Sequence, residues 1–199
     1  LLRGRTHCAG PAGDNFWAWR KVMYHVANTL TPESIRAASR QVFLEMMLSG
    51  ITAVGEFHYV HHQPGGASYA DPSVLALAVI EAARDVGIRI VLLRTVYLRG
   101  DFDQESGEHQ KRFCDPSISE AMQRIEDLRG SIGGLADFRV SMGVACHSVR
   151  AMAKEDIVSL KTTHADLPFH IHVSEQRGEV DSCKEAYGAG PVAMLAQAG

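Results

Sequence analysis

Phe169-His170-Ile171-His172-Val173-Ser174-Glu175-Gln176 places two histidines two residues apart in an apolar run and an acid just beyond them. Alternate residues of a β-strand share a face, so the spacing predicts a strand over 168–174 with both imidazoles on one side and Glu175 where the strand gives way to a loop. A neutral imidazole is a good ligand for zinc or iron, and a nearby carboxylate can move protons to and from an activated water. Two histidines on a strand are equally compatible with a packing role. The surrounding pattern has to decide.

Working outward, the strand is the last member of a repeating alternation. Residues 154–163 read as a helix, and residues 138–145 before it as an apolar strand. Upstream of that strand, Asp115-Pro116-Ser117 announces a helix to about Leu128. Residues 88–96 form another apolar run, preceded by a helix that Asp71-Pro72-Ser73 opens and Gly87 closes. Ile51 to Phe57 reads as a short strand buried on both faces. Before it, Thr31-Pro32-Glu33 supplies a hydroxyl cap, a proline at the first helical position and an acid in the first turn of a helix reaching Leu48. Phe16 to Leu30 carries Trp17, Val22, Val26 and Leu30 at helical spacing. Strand and helix alternate four times, which argues for a parallel sheet with helical crossovers.

A doubly wound open sheet and a (β/α)8 barrel both satisfy that order. An open sheet of this kind usually carries a glycine-rich phosphate loop after an early strand. Gly65-Gly66 and Gly133-Gly134 lack that spacing and read as turns. Polar residues collect instead where strands end: His58, Tyr59, His61 and His62; then Cys146, His147, Ser148 and Arg150; then His170, His172 and Glu175. Functional groups at the C-terminal ends of several parallel strands are the layout of a barrel enzyme. A closed barrel needs eight strands and typically ~250 residues, and four strands are visible.

Composition narrows the classes. The chain has 199 residues, 46% of them hydrophobic and 22% charged, with a formal charge of -3, enough for one buried domain over 1–199. Lysine and arginine are scattered, which disfavours nucleic acid as a partner. No apolar run reaches the ~18 residues of a membrane helix, and Leu1-Leu2-Arg3-Gly4-Arg5 is not followed by the apolar core of a signal peptide. Four separated cysteines without a CxxC pair point to a reducing, cytoplasmic setting.

Individual side chains suggest roles. Arg150 offers a planar fork for a carboxylate, and His147 can donate to a polarised substrate; both could equally cap the following helix. Phe16, Trp17 and Trp19 read as helix packing, and Met23, Met46, Met47 and Met122 as core filling. Cys146 and His147 are adjacent on a strand and point to opposite faces, which argues against a Cys–His dyad.

Phe16-Trp17-Ala18-Trp19-Arg20, Glu56-Phe57-His58-Tyr59-Val60-His61-His62, His147-Ser148-Val149-Arg150 and His170-Ile171-His172-Val173-Ser174-Glu175-Gln176, in that order, resemble the formimidoylglutamate deiminases of the amidohydrolase superfamily. The H-x-x-E motif alone would also admit guanine- or other purine-type deaminases; the second and third segments favour the narrower family. The resemblance implies a distorted (β/α)8 TIM barrel, one divalent metal, usually zinc, and hydrolysis of N-formimino-L-glutamate to N-formyl-L-glutamate and ammonia in histidine degradation. It further implies that His172 is a metal ligand and that Glu175 relays a proton from the activated water to the leaving nitrogen. His147, Arg150 and Tyr59 would contact this small-molecule substrate.

The same resemblance puts a first-strand H-x-H before Leu1, and a sixth-strand histidine and an eighth-strand aspartate after Gly199. The four strands then correspond to the second to fifth of a partial amidohydrolase barrel. The chain is expected to be an internal piece of a longer, homo-oligomeric enzyme and to be inactive alone, since one imidazole does not hold zinc. A non-catalytic half-barrel is the alternative outside the enzyme class.

Overall fold

In the computed structural model, residues 16–199 are described, with side chains from Trp19 onward. The lead-in around Gly10-Pro11, Cys8, and the packing expected of Phe16 and Trp17 lie outside the described residues. The element order is α1 (Phe16–Ala27), α2 (Pro32–Leu48), β1 (Ala53–His58), α3 (Val74–Val86), β2 (Arg89–Val96), α4 (Ile118–Gly134), β3 (Val140–Ser148), α5 (Lys154–Thr163), β4 (Phe169–His172), α6 (Arg177–Tyr187) and α7 (Pro191–Ala198). The strands pair in parallel in the order β1-β2-β3-β4. The result is an α/β half-barrel, a curled four-stranded sheet, as the alternation predicts.

Local chemistry explains the element boundaries. Thr31 closes a reciprocal capping box with Ser34 and Pro32 opens α2. Ser117 accepts from the Glu120 N–H at the start of α4. Gly87 ends α3 in the left-handed conformation that a residue without Cβ adopts freely. Ser73 behaves differently from expectation: its hydroxyl caps nothing, and Asp71 Oδ1 takes the Ser73 N–H at 2.8 Å, turning the chain one step earlier.

Several expected boundaries are corrected. α1 stops at Ala27, where the Arg112 guanidinium takes the Ala27 and Leu30 carbonyls that a longer helix would have used. α4 continues past Leu128 through Gly133 and Gly134, so this pair sits in a helical turn, whereas Gly65 and Gly66 have the positive φ of turn residues. β3 begins at Val140: Asp137 binds the Arg139 N–H and guanidinium, leaving Phe138 93% exposed in the turn. β4 is only four residues long because Ser174 is left-handed, with φ 55°. Helices α6 and α7 follow it and were not anticipated.

The core lies between the sheet and its helices. Leu75, Val79 and Ile80 of α3 and Ile125 and Leu128 of α4 pack on Ile90, Leu92, Val144 and Cys146, with Phe169 and Ile171 half-buried beside them. Even-numbered residues of β2 and β3 therefore face the helices, and odd-numbered ones face the inside of the curl. Gly143 is on that inner face, where an added Cβ would meet Leu93 Cδ2 at 2.6 Å and the Pro168 carbonyl at 2.8 Å; only glycine admits this close approach of β2 and the entry to β4. β1 was expected to be buried on both faces and is not. It is the edge of the sheet, with only His58 fully buried. Met46, Met47 and Met122 fill core gaps as expected. Among the described residues Cys114, Cys146 and Cys183 are free thiols, and no helix is long and apolar enough to cross a membrane.

Candidate active site

The C-terminal ends of the strands meet α1 around a cleft of about 50 Å³. Tyr59 enters it from the loop after β1, His147 and Arg150 from the end of β3, and His172 and Glu175 from the end of β4. The structure thus brings together all five residues proposed from sequence. Trp19, Arg20, Met23 and Tyr24 of α1 close the opposite wall. Trp19, 39% exposed, lines the cleft. Met23 both packs on a second apolar cluster with Tyr97 and Phe113 and faces the cleft.

Strand parity decides which histidines belong here. His147 and His172 lie on the inner face, with ring centroids 5.4 Å apart and nearly perpendicular. Phe57 stacks on His172 at 4.1 Å, and Tyr97 and Tyr59 meet the His147 ring at 4.6 and 5.3 Å. His170 is exposed on the same face as His172 but outside the cleft lining. His58, by contrast, points to the helix side, and His61 and His62 are buried with it. His61 Nε2 bonds the Thr95 carbonyl at 2.8 Å and His62 Nε2 the Cys114 carbonyl at 2.9 Å. They border a buried ion pair in which both Arg94 amino groups reach Asp115 at 2.6 Å. These three histidines are a buried polar layer, not solvated loop residues.

Electrostatics within the cleft follow from burial. Burial first, then the His172 ring and the Arg150 charge, pull the His147 pKa down to about 3, so this imidazole is neutral at ordinary pH and can offer an N–H or a lone pair. Burial pushes the Tyr59 hydroxyl up to about 12, keeping it a proton-bearing donor. Cys146 is fully buried on the helix side, its thiol held far above the usual range by burial, and its Sγ bonds the Ser148 carbonyl. It forms no dyad with His147.

Arg150 does not cap a helix. Its guanidinium is buried and bound to Glu175, and its Nε lies 3.3 Å from the buried carboxylate of Glu179, the first-turn acid of α6. Glu179 also accepts the Ser174 N–H at 2.8 Å. Glu179 does not stand out in the sequence, where it reads as an ordinary helix-start acid, and Arg20 enters only as the end of the Phe16-Trp17-Ala18-Trp19-Arg20 segment with no role attached. The Ser174 N–H that Glu179 accepts belongs to a residue with a positive φ, and that turn has no sequence signature.

The sequence profile of the amidohydrolase family matches residues 4–195. The chain belongs to the amidohydrolase family. This amidohydrolase chain is 39% identical over 196 residues to the formimidoylglutamate deiminase of Pseudomonas aeruginosa, covering 98% of itself and 42% of that protein. It is 27% identical to the 8-oxoguanine deaminase of the same organism, covering 91% of itself and 39% of that protein. Its fold superposes on an amidohydrolase from Brucella melitensis with a TM-score of 0.92 at 35% identity, over 100% of this chain and 44% of that one. It also resembles atrazine chlorohydrolase from Arthrobacter aurescens complexed with zinc, at TM-score 0.64 and 24% identity over 92% of this chain and 39% of that one. The chain spans about two-fifths of the length of the relatives it matches.

The atrazine chlorohydrolase structure contains zinc. Among the described residues of this chain no group of three His, Cys, Asp or Glu side chains is placed to hold a metal ion. His172 is exposed at a strand end, and its imidazole makes ring contacts but no side-chain hydrogen bond. That fits one ligand of an incomplete donor set, since zinc takes three or four protein ligands.

Proposed function

We propose that this chain supplies the second to fifth strands of a longer formimidoylglutamate deiminase, contributing the proton carrier and the anion-binding wall of its site. The observation that carries the reading is the convergence of Glu175, His172, His147 and two guanidiniums, Arg20 and Arg150, on one cleft. N-formimino-L-glutamate presents two carboxylates and one amidine carbon, and two planar cations beside a carboxylate match that inventory. The 39% identity to a deiminase of that name supports the same choice.

In the proposed reaction a divalent metal, zinc by analogy with the relatives, supplies the acidity that turns water into a nucleophile when it is bound. His172 would be this chain's ligand to it. Glu175 receives the proton released as water adds to the formimino carbon and delivers it to the nitrogen that departs as ammonia. His147, neutral and ringed by Tyr59, Tyr97 and Phe57, orients the amidine, and Tyr59 donates its hydroxyl. Arg150 holds a substrate carboxylate. A cleft of about 50 Å³ has room for one or two waters. The Arg150–Glu175 pair is the charged contact that a substrate carboxylate would replace.

The aromatic wall around His147 favours a second reading, a purine-type deaminase that stacks a ring. Ammonia release by the full-length protein from N-formimino-L-glutamate, 8-oxoguanine and S-adenosylhomocysteine separates the two. We expect turnover of the first, and Arg150→Met to raise its KM about a hundredfold. Preference for a purine, or an unchanged KM in Arg150→Met, overturns the assignment.

A further inference from the structure

We propose that Glu179 is a positioning residue that sets both the proton carrier and the anion-binding arginine of this site, an inference that rests on the deiminase reading above. Glu179 is the only acid on α6 whose carboxylate is fully buried, and its two oxygens go to two different catalytic elements. Oε1 accepts the Ser174 N–H at 2.8 Å, and Oε2 stands 3.3 Å from Arg150 Nε as an ion pair without hydrogen-bond geometry.

The first contact matters because Ser174 is left-handed, with φ 55°. A serine in that region costs on the order of 1 kcal/mol unless its surroundings over-determine it. The turn at Ser174 is what ends β4 and swings Glu175 back over the strand ends, where it joins Arg150. Without an acceptor for the Ser174 N–H, the turn can relax to the extended conformation and carry Glu175 away from the cleft. The second contact matters because Arg150 has two acidic neighbours, Glu175 and Glu179. If a substrate carboxylate displaces Glu175, Glu179 remains as the buried countercharge that keeps the guanidinium in place. Burial raises the Glu179 pKa, and the Ser174 N–H and the Arg150 charge offset part of that rise.

A helix-capping role alone would also place an acid in the first turn of α6. The two roles are separated by kinetics on the full-length protein with Glu179→Gln and Glu179→Ala, together with hydrogen exchange at the Ser174 amide. Glutamine keeps an acceptor for Ser174 but offers Arg150 no charge. We expect KM for N-formimino-L-glutamate to rise about tenfold with kcat nearly unchanged and Ser174 still protected. Alanine removes both contacts, so kcat should fall about a hundredfold as Glu175 is misplaced, with fast exchange at Ser174. Loss of stability with KM and kcat unmoved in both variants assigns Glu179 to capping and overturns the proposal. If Glu179→Ala does not fold, an unchanged KM in Glu179→Gln overturns it alone. Should the wild type not hydrolyse N-formimino-L-glutamate, the deiminase reading falls, and exchange decides this one: Ser174 protection that is equal in all three proteins overturns it.

Discussion

His58, His61 and His62 sit behind the sheet, beside Arg94, Asp115 and Arg124, and their state couples folding to pH. Burial first, then the Arg94 charge, pull the His58 pKa from 6.5 down to about 3, and the same causes hold His61 well below its ordinary value. His58 Nε2 is buried without a hydrogen-bond partner, so a proton there has nowhere to be stabilised. The unfolded chain takes up protons near pH 6.5 and the folded one only near pH 3. Stability from these groups is therefore complete above about pH 6.5 and is lost progressively as pH falls toward 3, at up to about 1.4 kcal/mol per pH unit for His58. Urea midpoints taken at about pH 7.5 and about pH 5 should fall more steeply in the wild type than in His58→Gln. Parallel pH dependences would contradict this account.

At the scale of elements, the alternation of strand and helix was legible because its punctuation is local. Thr31-Pro32, Ser117 and Gly87 stop or start helices through their own backbone chemistry, and the apolar run at 88–96 is long enough to mark a buried strand. What was not legible depends on distant partners. The faces of His58 and Tyr59 follow from period-two geometry, but which face meets the helices is settled by α3 and α4. The placement of α1 over the cleft is settled by Arg112, 85 residues beyond Ala27, whose guanidinium bonds the Ala27 and Leu30 carbonyls at 2.6 and 2.5 Å. Arg112→Met keeps the bulk and removes both of these hydrogen bonds, leaving the Ala27 carbonyl only the Leu30 N–H at 3.4 Å. It should cost about 2–4 kcal/mol in urea unfolding and speed hydrogen exchange throughout α1. Stability within about 0.5 kcal/mol of wild type would show that α1 is held by something else.

At the scale of the molecule, a curled sheet of four strands has two edges. Among the described residues β1 and β4 each pair on one side only, leaving backbone donors and acceptors open along the other. Apolar surface accompanies both edges. Leu48 and Ile51 are 80% and 43% exposed at the approach to β1, and a groove of about 420 Å³ between α5, α7 and β4 is lined by Ile157, Phe169, Ile171 and Leu195. We therefore expect the 199-residue chain to self-associate as its concentration rises, with sedimentation velocity as the check. A well-folded monomer at all concentrations would contradict that. The same open edges bear on the proposed chemistry, because the cleft holds Glu175, two guanidiniums and the His172 imidazole, but no set of three metal ligands among the described residues. The most direct measurement is steady-state ammonia release from N-formimino-L-glutamate with added zinc, by this chain alone and by the full-length protein that carries it. Turnover by the full-length protein and none by the isolated chain is the predicted result. Turnover by the isolated chain, or a full-length protein inert toward this substrate, would contradict the account.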